Sequence, residues 1–144
     1  MVSNKLVCIK TINSGGKGVN WGGLAYVRKL NFLVRGGVEG DIKIWDASTF
    51  NLIKSYRAHN GWINTVVSLD MINKIATAGE DNYIRIWDLN DNFRAVSMGG
   101  HTSVIFALEY IAEENKLVSG GAEPNIKIWN LTGYHVDFEL GSLD

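Results

Sequence analysis

Short runs of alternating apolar and polar residues recur along the chain, each cut off by glycine, asparagine or aspartate. Residues 83–87 place Ile84 and Ile86 on one side and Arg85 and Trp87 on the other. A period of two is the mark of a β-strand. Over residues 60–88 the pattern predicts three strands, at 63–69, 74–78 and 83–87. A fourth is expected at 52–57 and again at 93–98 and 135–140. Turns at 71–73, 80–82 and 89–92 carry the Asn and Asp that suit such bends. Sixteen glycines and one proline complete an all-β pattern that leaves no room for helices of ordinary length.

The runs repeat with a period of 42 residues, set by Trp45, Trp87 and Trp129. Gly37, Gly79 and Gly121 keep the same register, as do Asn31, Asn73 and Asn115, and His59 with His101. A long period without slippage means one supersecondary unit stacked on copies of itself. Both faces of the expected strands carry apolar residues, so a small sheet needs a neighbour on each side.

The motifs closing each repeat are Trp45-Asp46, Trp87-Asp88 and Trp129-Asn130, and those opening it are Ala58-His59 and Gly100-His101. In these residues the chain resembles the WD repeats of β-propellers, over about residues 19–140. The resemblance implies three blades of four antiparallel strands, at about 19–57, 60–98 and 102–140. An additional outer strand is expected at 5–12, because Ile9-Lys10-Thr11 matches Ile53-Lys54-Ser55. Propellers use about four to eight blades, so the ring is incomplete in one chain. Either the sequence is part of a longer polypeptide, or the ring is completed by assembly, as a homodimer or with a partner. Assembly is the favoured expectation for the chain as given.

The resemblance also implies a hydrogen-bonded chain inside a blade, formed by His59, Thr77, Asp81 and Trp87 in the second unit and by His101, Ser119, Glu123 and Trp129 in the third. Glutamate is one methylene longer than aspartate, so a looser network is expected in the third unit. In the first unit Lys17, Arg35 and Glu39 stand at the network positions and only Trp45 is kept, which puts the stability of that blade in doubt. Ser119, His101 and Glu123 also have the types of a nucleophile triad. Their recurrence as Thr77, His59 and Asp81 favours a structural role, since an enzyme needs one site. Partner contacts on the rim are implied at Trp62, Asn64 and Glu80, at Val104, Phe106 and Ala122, and at Asn20, Gly22 and Val38. Trp62 and Phe106 have the character of aromatic anchors, with packing against neighbouring loops as the alternative.

Composition narrows the rest. A net charge of −1 with no basic block speaks against nucleic acid. The polar amino terminus and the lack of a long apolar stretch speak against export or a membrane span. Cys8 is the one cysteine and has no partner for a disulfide or a zinc site. No metal or other cofactor is expected, and the setting expected is cytoplasmic. Gly15-Gly16-Lys17-Gly18 lacks the Ser or Thr of a phosphate loop and is expected to be a turn. The implied function is a non-enzymatic interaction scaffold that binds proteins or peptides. The alternative is a structural subunit, or a fragment of a larger protein, whose blade faces carry the contacts.

Overall fold

The computed structural model describes Cys8, Lys10, Thr11 and residues 22–141. Its strands are β1 (Leu24–Val27), β2 (Phe32–Gly36), β3 (Asp41–Asp46), β4 (Leu52–Arg57), β5 (Ile63–Leu69), β6 (Lys74–Gly79), β7 (Ile84–Asp88), β8 (Arg94–Met98), β9 (Ile105–Ile111), β10 (Lys116–Gly121), β11 (Ile126–Asn130) and β12 (His135–Leu140). They form three antiparallel sheets, β1-β2-β3-β4, β5-β6-β7-β8 and β9-β10-β11-β12. One 3-10 turn, Ala112–Glu114, is the sole helical element among the described residues. The fold is all-β, built of three propeller-type blades, and these do not close a ring.

The sheets stack face to face, with β5 packed against both β1 and β9. The middle blade is therefore covered twice. Ile75 and Trp87 turn toward the first blade and meet Val34, Ile42 and Ile44. Their chain neighbours Ala76 and Ile86 turn the other way, toward Leu117 and Trp129 of the third. Strand alternation thus feeds two cores from one sheet.

The repeated turn residues have specific duties. Asn31, Asn73 and Asn115 all adopt left-handed backbone, with φ between 50° and 55°. Asparagine tolerates that conformation far better than a branched residue. The Asp or Asn after each tryptophan accepts the backbone N–H groups two and three residues further on. Asp46 Oδ1 takes those of Ser48 and Thr49, both at 2.8 Å. Asn130 Oδ1 takes those of Thr132 and Gly133, at 2.8 and 3.2 Å. The turn needs an acceptor oxygen, not a charge, so Asn replaces Asp here.

Four strand ends differ from expectation by one residue: β6 runs on to Gly79, β7 starts at Ile84 and runs on to Asp88, and β8 starts at Arg94. Tyr83 belongs to the turn, where its N–H donates to Asp81 Oδ1 at 3.3 Å. Phe93 has a φ of 58° and so stands outside β8. Of the strand expected at 5–12, the described residues Cys8, Lys10 and Thr11 are not in a strand; the others lie outside the described residues. The same holds for the turn read at residues 15–18 and for the Lys17 network position.

Gly79 and Gly121 sit where the first strand of the blade approaches closely. A Cβ on Gly79 would lie 1.8 Å from the Trp62 carbonyl oxygen, and one on Gly121 2.0 Å from that of Val104. Gly120, next in the chain, has nothing within 4 Å of the same point. Gly79→Ala is therefore expected to lower stability by about 2 kcal/mol or more, and Gly120→Ala to leave it unchanged within about 0.5 kcal/mol. Urea unfolding midpoints of the two variants check this.

Candidate functional site: the blade networks and the rim

His59 and His101 each lie in the connector that enters a blade, held where the outer strand of one sheet leads into the first strand of the next. In the middle blade Trp87 Nε1 donates to Thr77 Oγ1 at 2.9 Å. Thr77 Oγ1 lies 2.7 Å from His59 Nε2, and His59 Nδ1 lies 2.9 Å from Asp81 Oδ1. One proton assignment satisfies all four groups. The Thr77 hydroxyl donates to Nε2, and Nδ1–H donates to Asp81. The ring is then neutral.

Arg85 joins this chain. Its Nη1 donates to Asp81 Oδ2 at 2.6 Å and stands 2.7 Å from His59 Nδ1. Burial lowers the His59 pKa; Asp81 opposes that, and the Arg85 charge adds to it. Burial alone would raise the Asp81 carboxyl. Hydrogen bonds from His59, Arg85 and the Asn60 N–H outweigh it and bring it to about 2.

The third blade builds the same chain with different residues. Trp129 Nε1 donates to Ser119 Oγ at 2.7 Å, and Ser119 Oγ lies 2.5 Å from His101 Nε2. His101 Nδ1 meets Glu123 Oε1 directly. The extra methylene of Glu123 does not loosen the network, contrary to expectation. Its second oxygen is anchored by the Thr102 hydroxyl and by the Thr102 N–H at 2.8 Å. The Thr102 hydroxyl, acting first, with Thr102 N–H and His101 pulls Glu123 down to about 2 against burial. Burial also lowers His101. Lys127, itself buried, donates to Glu139 Oε1 at 2.6 Å and stands 3.9 Å from Glu123.

Arg85, Lys127 and Thr102 are network members that sequence reasoning missed. The signal for the first two was present, since Lys43, Arg85 and Lys127 share the 42-residue register. By alternation alone, a cation between isoleucines marks only the polar side of a strand. In the first blade Arg35 and Lys43 take the places of Thr77 and Arg85.

The geometry bears on the triad types as well. Ser119 is buried, and its oxygen is shared between the Trp129 indole and His101. A nucleophile must reach a substrate, and this hydroxyl faces its own blade. Among the described residues no group of three or more His, Cys, Asp or Glu is placed to hold a metal ion. Among the described residues no helix is long and apolar enough to cross a membrane.

The rim positions fall into two kinds. Trp62 and Glu80 clasp each other: the Glu80 N–H donates to the Trp62 carbonyl at 3.0 Å, and Glu80 Oε2 accepts the Trp62 N–H at 3.2 Å. The Trp62 ring stays exposed. Val104 and Ala122 pair through the matching backbone bond at 2.9 Å. Asn64 is tied down, its Nδ2 donating to the Ile105 carbonyl of the next blade at 2.9 Å. Phe106, its register equivalent, is exposed on β9. Gly22 and Val38 are half-buried, and Asn20 lies outside the described residues.

Acid is expected to lower the stability of the protein in two pH windows. His59 and His101 bind a proton less readily folded than unfolded, so their contribution is full above pH 6.5 and is lost as pH falls below it. Asp81 and Glu123 ionise more readily folded. Their contribution is full above the ordinary values of 3.8 and 4.5 and is lost toward about pH 2. Urea midpoints measured from about pH 8 to about pH 3, across the ordinary His and carboxyl values, are expected to fall in both windows. Asp81→Asn is expected to flatten the lower one. In a separate check, a serine-reactive fluorophosphonate is expected to leave Ser119 unlabelled by mass spectrometry.

Comparison with known families places these repeats. The model of the family described as WD domain, G-beta repeat, matches residues 50–88 and 94–130, more than half of the chain. No curated protein sequence gave a match. The first matched stretch contains β4 to β7, and the second β8 to β11. Each therefore runs from the outer strand of one sheet through three strands of the next, and each contains one complete Trp–hydroxyl–His–carboxylate chain. With its repeats matched and its blades in register, the chain belongs to the WD-repeat family.

Proposed function

We propose that this chain is a non-enzymatic scaffold that presents a propeller rim to protein or peptide partners in the cytoplasm. Its blade faces are covered by further blades, supplied by a second copy or by a partner. WD-repeat proteins generally mediate protein–protein interactions, which supports the class. The observation that carries the reading for this chain is Trp62. The residue is 43% exposed, yet its backbone is clamped at both N–H and carbonyl by Glu80. With the backbone already fixed, only the two side-chain torsions of this large aromatic remain to be ordered on binding, which is the profile of an interface anchor. Phe106 on the neighbouring blade is 59% exposed and adds a second apolar contact. The net charge of −1 gives no pull toward nucleic acid.

A second reading is favoured by a different observation. Ile126, Phe138 and Leu140 are all exposed on the third blade. They support a structural subunit whose blade faces, rather than its rim, carry the contacts.

Selection of a random peptide display library against the wild-type chain separates the two readings. Peptides that bind are expected to lose at least about tenfold in affinity, about 1.4 kcal/mol, to Trp62→Ala or Phe106→Ala. Circular dichroism and the urea midpoint of both variants are expected to stay close to wild type. Equal binding by both variants would remove the rim reading. Unfolding of Trp62→Ala would make Trp62 a core residue.

A further inference from the structure

We propose that the far face of the third blade is the docking site for the first blade of a second copy of this chain, head to tail. The inference rests on the reading that the blade faces are covered by further blades, and it names the partner.

The two junctions inside the chain are copies of each other in the 42-residue register. At the first, Ile42 is fully buried and the space above Gly36 is filled by Ile63, whose Cγ2 would lie 2.3 Å from an added Cβ. At the second, the equivalents Ala78 and Ile84 are fully buried, and Met98 is 4% exposed. One period further on stand Gly120, Ile126 and Leu140. Here Ile126 is 44% exposed, Leu140 is 56% exposed, and nothing lies within 4 Å of a Cβ on Gly120. The face is thus one half of a junction already used twice, with a groove lined by Ala107, Gly120 and Ile126.

The other half is carried by the same chain. Val66 and Leu108 face the preceding blade and are 7% and 9% exposed. Their equivalent on the first blade is Leu24, at 68%, with Tyr26 beside it at 46%. Two such head-to-tail contacts related by a two-fold axis give six blades, within the range in which propellers close.

Gly120→Arg tests this cleanly, because the monomer has room for the side chain and Gly120 has no positive φ. Light scattering on a sizing column should show wild type at twice the 15.9 kDa chain mass. Gly120→Arg and Leu24→Arg should each weaken the dimer at least tenfold while keeping a wild-type circular dichroism spectrum. Mixed together, the two variants should pair where neither pairs alone. Each supplies the intact half the other lacks, which a like-to-like contact would not allow. A folded wild-type monomer, a dimer indifferent to Gly120→Arg, or a mixture that stays monomeric would each overturn the proposal. The rim reading fails separately. A monomer whose peptide binding still depends on Trp62 would sink the docking proposal alone, and a Gly120-dependent dimer without such binding would sink the rim alone.

Discussion

A sheet of four short strands with two apolar faces must be covered twice, and the rest of this structure follows from that requirement. In β6 and β7 the alternation of side chains sends Ile75 and Trp87 to one neighbour and Ala76 and Ile86 to the other. Neither face could be left in water without forfeiting the burial that orders the strands. Polar side chains enter the same junctions as connected sets, apart from the Tyr56 hydroxyl, which is buried there without a hydrogen-bond partner. Thr77, fully buried, is tolerable because the Trp87 indole and the His59 ring use both capacities of its hydroxyl. The apolar faces and the buried network are two solutions to one problem, that of packing a polypeptide sheet on both sides.

Much of this was legible in the sequence, because every blade must present the same faces at the same positions. The 42-residue register located the strands, the turns that need left-handed asparagine, and the four residue types of each network. What remained hidden depends on atoms supplied from elsewhere. Asn64 and Phe106 share a register position, yet Asn64 is tied to the Ile105 carbonyl of the next blade and Phe106 is exposed. No periodicity can show a bond to a neighbour's backbone. Likewise, the length of Glu123 predicted slack, and Thr102 removes it through contacts that a comparison of residue types does not contain. The strand ends at Tyr83 and Phe93 were set by a turn hydrogen bond and a backbone conformation, both finer than an alternating pattern.

The repeat of the sequence and the unit of the fold are offset from one another. A family repeat such as residues 50–88 takes its outer strand from one sheet and its remaining strands from the next. The chain therefore crosses every internal junction covalently as well as through packed side chains. Each network sits at such a crossing, with His59 and His101 on the connector and their partners inside the blade being entered.

That connector in the middle of the chain has a consequence for how the protein can change over generations. Between β4 and β5, His59 is fixed by Thr77 and Asp81, the Asn60 N–H is taken by Asp81, and Gly61 holds a φ of 134° that side chains resist. Trp62 is held there by its backbone alone, and its side chain faces water. Change along this segment is therefore channelled into the side chains whose backbone alone is held, Trp62 above all. New surface chemistry can arise there by single substitutions that leave the architecture untouched, while its immediate neighbours stay locked.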